Sequence, residues 1–128
     1  RTMFGPVAER LTLVKEGDDV VPGISVVNAF GHTPGHLNFL LDAGRAQLYL
    51  FADCAHHQVA SLARPDWHCV FDVDPEQAAT TRARVFDMLA TERIAVIGYH
   101  MPFPSVGYVE RLPGSGYRWL AHTYQLNR

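Results

Sequence analysis

Apolar and polar positions along the chain fall into short runs separated by turn-forming residues. Leu11-Thr12-Leu13-Val14 alternates as a half-buried strand does, and Glu16-Gly17-Asp18-Asp19 has turn chemistry. Val20-Val21-Pro22-Gly23 leads into an apolar run over 24–29. Phe30-Gly31-His32-Thr33-Pro34-Gly35-His36 follows, and its glycines and proline exclude regular structure. Residues 37–41 and 47–51 predict a hairpin that turns through Asp42-Ala43-Gly44-Arg45, the second arm running out at Asp53. Residues 54–73 read as irregular.

Asp74-Pro75-Glu76-Gln77 has the marks of a helix start, with Asp as N-cap, Pro at the first helical position and Gln where a capping box wants it. The helix is expected over about 74–91, with Ala78, Val85, Met88 and Leu89 on its apolar face and Arg82 and Arg84 in solvent. Residues 94–97 form a buried-looking strand ending at Gly98-Tyr99-His100. Residues 106–111 and 117–121 form a last pair around Pro113-Gly114-Ser115-Gly116. The fold class is therefore α+β, mostly strands with one main helix. A single helix on about six strands leaves one sheet face poorly covered. Two architectures stay open: a small α+β domain, or half of a layered fold.

Composition narrows the picture modestly. At 128 residues the chain is one modest domain, and 48% hydrophobic residues suffice for a core. A net charge of -2, with basic residues scattered, argues against a nucleic-acid or anionic-membrane surface. No run is apolar for long enough to span a bilayer. Cys54 and Cys69 make no disulfide framework; one bridge is open, and two reduced thiols are the better reading. The opening Arg1-Thr2-Met3-Phe4-Gly5-Pro6 lacks an initiating Met, so a piece of a longer protein is expected and the compartment is not legible from it.

Candidate chemistry collects at three strand ends: His32 with His36, Asp53 with His56 and His57, and His100. Strands fix their ends while the following loops face solvent. Imidazole and carboxylate are the usual ligands of zinc and related divalent metals. Six of the seven histidines fall between 32 and 100.

Gly31-His32-Thr33-Pro34-Gly35-His36, a strand ending Phe51-Ala52-Asp53, and Gly98-Tyr99-His100 occur in the order of the later motifs of the metallo-β-lactamase superfamily. Asp53-Cys54-Ala55-His56-His57, Arg64-Pro65-Asp66-Trp67, Phe71-Asp72-Val73-Asp74-Pro75-Glu76-Gln77-Ala78-Ala79, His100-Met101-Pro102-Phe103-Pro104 and Gly114-Ser115-Gly116-Tyr117-Arg118-Trp119 are similar to its methyl parathion hydrolase-like branch. The resemblance covers most of the chain. It implies the C-terminal half of an αβ/βα sandwich.

By the same resemblance His32 completes a first metal site, Asp53 bridges two metals and is the catalytic carboxylate, and His100 closes the second site. A bridging hydroxide would attack an ester, lactone or phosphoester-type centre in a small-molecule substrate. Zinc, two per complete site, is the expected metal, with manganese, iron or cobalt as alternatives. The superfamily's earlier His-x-His-x-Asp-His motif is absent from this chain. Two ligands per metal then remain, where a catalytic zinc usually keeps three. A non-catalytic binding or structural remnant is therefore the competing expectation. Completion by an N-terminal half or by a second copy is a third.

Of the other candidates, His36 is expected to orient the loop or bond nearby backbone rather than bind metal. His56 and His57 stay open between lining a pocket, supporting Asp53 and simple exposure. His68 and His122 read as surface or packing residues. Cys54 reads as packing, Asp74 as the helix cap and Asp72 as a turn residue.

Overall fold

The structure is a computed structural model that describes residues 3–123. Its strands are β1 (Asp19–Val21), β2 (Ile24–Asn28), β3 (Leu37–Asp42), β4 (Gln47–Leu50), β5 (Ala95–Ile97), β6 (Val106–Arg111) and β7 (Tyr117–Ala121). All seven lie in one sheet in sequence order, and every neighbouring pair is antiparallel except β4 with β5. A parallel pair needs a crossover. Here it carries a short helix, α1 (Ala60–Ala63), and the long helix, α2 (Pro75–Glu92).

Helix α2 begins as its sequence dictates. The Asp74 carboxylate accepts the Gln77 N–H at 2.9 Å, and Pro75 opens the first turn without an orphaned donor. It ends at Arg93, in the left-handed region at φ 55°. Its buried face, Ala78, Thr81, Arg82, Val85, Phe86 and Leu89, recurs at helical spacing. Val85, Phe86 and Leu89 pack on Tyr49, Phe51, Val96, Val109 and Tyr117 from the sheet to form the core. The opposite sheet face follows from the register. Ile24, Leu41 and Leu48 lie side by side, as do Phe39, Leu50, Ile97 and Val106, and all are only partly buried. One helix cannot cover two faces, so the sheet carries a second apolar surface.

Three expectations are corrected. Residues 11–14 carry no strand, and Leu13 is exposed; alternation alone supplies no ladder partner, and the sheet starts at Asp19. The stretch 54–73 is not wholly irregular, because α1 forms within it, and Gly5–Arg10 forms a 3-10 helix that the sequence did not announce. Arg82 is not solvated: it is 2% exposed, on the buried face of α2.

Candidate metal centre

Strand direction brings the histidines together. β2 and β4 are each antiparallel to β3, so they run the same way, and β5 runs parallel to β4. The C-terminal ends of β2, β4 and β5 therefore share one edge of the sheet. The segments leaving those ends carry His32 and His36, then Asp53, His56 and His57, then His100.

The first segment is stitched to α2. Asp74 N–H donates to Gly31 O at 3.0 Å, Val73 N–H to His32 O at 3.1 Å, and the Thr81 hydroxyl to Phe30 O at 2.7 Å. Gly31 has φ +129°, and a Cβ there would meet the Ala78 backbone N at 2.3 Å. Only glycine allows so close an approach of loop to helix.

His36 is fully engaged. Asp53 N–H donates to its Nε2 at 3.2 Å, so the ring proton sits on Nδ1 and is donated to Ala29 O at 2.8 Å. This ring thus ties the Asp53 backbone to the end of β2. His57 is exposed, and its Nδ1 accepts the N–H groups of Val59 and Ala60, both at 3.1 Å, at the start of α1. Both ring nitrogens of His36 are thus committed, and His57 has its Nδ1 turned to the backbone of α1.

His32, Asp53 and His56 do converge. One ligand atom from each lies within 4.8 Å of the others. His100 reaches the same carboxylate, its Nε2 lying 3.1 Å from Asp53 Oδ1. The His56 ring stands 5.0 Å from that of His32 and 5.4 Å from that of His100. Both its nitrogens are buried and lack any hydrogen-bond partner. Burial pushes the His56 imidazole below its usual range; the neighbouring Asp72 carboxylate opposes this, and His32, His100 and Arg82 reinforce it. A neutral, half-buried imidazole whose nitrogens are buried and unpartnered, beside a carboxylate and a second imidazole, suits a divalent cation, since an orphaned buried polar atom is otherwise costly. The donor set therefore fits the metal that the motifs imply.

Two residues essential to this arrangement escaped the sequence reading. Asp72 is no simple turn residue, because its side chain is fully buried: Oδ1 lies 3.1 Å from His32 Nδ1 and Oδ2 lies 3.2 Å from Arg82 Nη2. Arg82 also donates to the carbonyls of Cys54 (2.9 Å), Pro65 (3.0 Å) and Trp67 (2.8 Å). The signal for Arg82 was present, since 82 falls on the helical stripe 78, 82, 85, 86, 89. A second trio, His56, Cys69 and Asp72, also comes within 4.8 Å, with the Asp72 oxygens paired to His32 and Arg82.

A cleft of about 180 Å³ borders His56 and is lined by Ser61, Trp67, Cys69 and Arg82. A larger one, about 550 Å³, lies at the far ends of β4 and β5 among Arg45, Gln47, Glu92 and Arg93 and gathers no metal-ligand set. Cys54 is buried and its thiol is pushed up to about 12, first by desolvation, so it stays protonated and inert at neutral pH. Thiol titration of the native chain is expected to count Cys69 alone, and both cysteines only after denaturation. Two fast-reacting thiols in the native state would contradict the packing of Cys54.

No protein-family model and no curated protein matches the sequence. Solved structures do. The hydrolase AbOPH of the beta lactamase superfamily superposes with a TM-score of 0.86 at 29% identity, over 93% of this chain and 40% of that one. The dizinc quorum-quenching lactonase AidC gives 0.85 at 24%, over 92% and 40%. A probable metal-dependent hydrolase from Staphylococcus aureus gives 0.71 at 18%, over 90% and 41%. The chain spans well under half the length of each. Over nearly all of its own length, this α+β chain has the fold of the metallo-β-lactamase superfamily hydrolases.

Proposed function

We propose that this chain is the C-terminal part of a metal-dependent hydrolase, in which His32 binds one metal, Asp53 bridges two, and His100 binds the other. The observation that carries this reading is the meeting of His32, from the loop after β2, with Asp53 and His56, from the segment after β4, while His100, after β5, reaches the same carboxylate. When bound, a pair of zinc ions lowers the pKa of a water to near neutrality and polarises a substrate oxygen. The chain's own residues hold that arrangement. Asp53 sits at the end of a core strand with its backbone fixed by His36. His32 is held by Asp72, and His56 keeps a neutral ring at the edge of the cleft.

The substrate class is a small ester, lactone or phosphoester. AbOPH is a hydrolase and AidC a lactonase, and the cleft bordering His56 is lined by the apolar surface of Trp67 as well as by polar groups. The remaining metal ligands come from residues outside this chain, which holds no His-x-His-x-Asp-His motif. That absence also favours a second reading for the chain by itself, a remnant that keeps the fold without a competent metal pair.

Metal content after zinc loading separates the two. The full-length protein is expected to retain close to two zinc per chain by elemental mass spectrometry, and His100→Ala to lower that occupancy and turnover together. Unchanged metal and turnover in His100→Ala would sink the ligand assignment. Failure of the full-length protein to hold zinc would overturn the hydrolase reading, and two zinc held tightly by the 128-residue chain alone would overturn the remnant reading.

A further inference from the structure

We infer that Asp72 is a positioning residue for metal binding at His32, holding that imidazole with Nδ1 protonated and Nε2 presented to the cation, while Arg82 clamps Asp72 in place. The inference rests on the reading of His32 as a ligand and assigns a role to residues outside the ligand set.

A carboxylate only accepts hydrogen bonds, so the 3.1 Å contact puts the ring hydrogen on Nδ1. The lone pair of the neutral ring is then on Nε2. A carboxylate behind a ligating histidine fixes its tautomer and ring angle and raises its basicity. The backbone registers the pair as well. The bonds Val73 N–H to His32 O and Asp74 N–H to Gly31 O lay residues 72–74 alongside 31–32. Asp72 is thus aimed from a fixed strand of loop.

Charge balance for Arg82 does not by itself explain the geometry. Arg82 already satisfies three backbone carbonyls and needs only Oδ2 of Asp72. Oδ1 is left for His32 alone. The side chains of Asp72 and Arg82 are 0% and 3% exposed, and that of His32 is 21% exposed, so the chain of contacts runs from the protein interior to the site.

Two measurements on the full-length protein test this. Nitrogen-15 shifts of the metal-free wild type, recorded at alkaline pH where imidazoles are neutral, are expected to show His32 as the Nδ1–H tautomer. The Nε2–H tautomer would overturn the inference. Zinc affinity, read by competition with a chromophoric chelator, is expected to fall about 10–100-fold in Asp72→Asn. The same change in a His32→Ala background is expected to add nothing, because Asp72 acts through His32. A loss that persists in that background marks a merely structural role and overturns the inference. So does wild-type affinity in a folded Asp72→Asn. Unchanged affinity in His32→Ala instead overturns the ligand reading beneath it. Should Asp72→Asn fail to fold, the wild-type tautomer decides.

Discussion

Arg82→Met is expected to lose about 3–5 kcal/mol of stability in chemical denaturation. Methionine fits the helix and is close to the stem of arginine in size, so propensity and packing volume change little. The cost is electrostatic. Removing the guanidinium leaves the carboxylate of Asp72 buried without its cation and strips donors from Cys54 O, Pro65 O and Trp67 O. Against a typical total of roughly 5–15 kcal/mol, such a loss brings the protein near its unfolding threshold. A change below about 1 kcal/mol would show that this cluster relaxes into solvent and does not hold the segment 54–72 to the helix.

Gly31→Ala is expected to cost about 3 kcal/mol and to weaken zinc binding in the same variant. The new methyl would sit 2.3–2.4 Å from backbone atoms of Ala78, which cannot swing aside as a side chain can, and φ +129° is unfavourable for any residue with a Cβ. Relief requires the loop to leave the first turns of α2. That movement breaks the backbone bonds at Gly31 and His32 and carries the imidazole away from Asp72. Stability and zinc affinity measured on one preparation check both arms. Wild-type stability would mean that loop and helix part freely, and the close approach would have no role in holding His32.

These two positions mark where sequence reading succeeded and where it stopped. Position 31 was legible as irregular backbone because a run with two glycines and a proline forbids regular structure wherever it occurs. Its contact with α2 was not, because the helix begins more than 40 residues later. Arg82 was misread for a related reason. An arginine among polar neighbours is normally solvated, and only its place on the stripe of 78, 85, 86 and 89 hinted otherwise. Asp72 lay two residues before a helix cap, where a turn carboxylate is ordinary, and nothing local announced a ring 40 residues upstream. His56 and His57 were indistinguishable as neighbours. The turn after Cys54 points one at the cluster of His32 and Asp53 and the other at the start of α1.

By itself, then, the sequence determined the local features: the Asp74-Pro75 helix start, the β3–β4 and β6–β7 hairpins, and polar groups stationed where β2, β4 and β5 end. Capping, turn chemistry and hydrophobic period act over a few residues, so a few residues suffice to read them. The order of the motifs carried the resemblance further, to a metallo-β-lactamase fold. Tertiary structure decided what depends on distant partners. It left residues 11–14 without a ladder, buried Arg82, set Asp72 behind His32 and brought His56 between two other imidazoles. Each of these turns on which strands share an edge and which helix covers them. Those are pairings across tens of residues, and local propensity does not encode them.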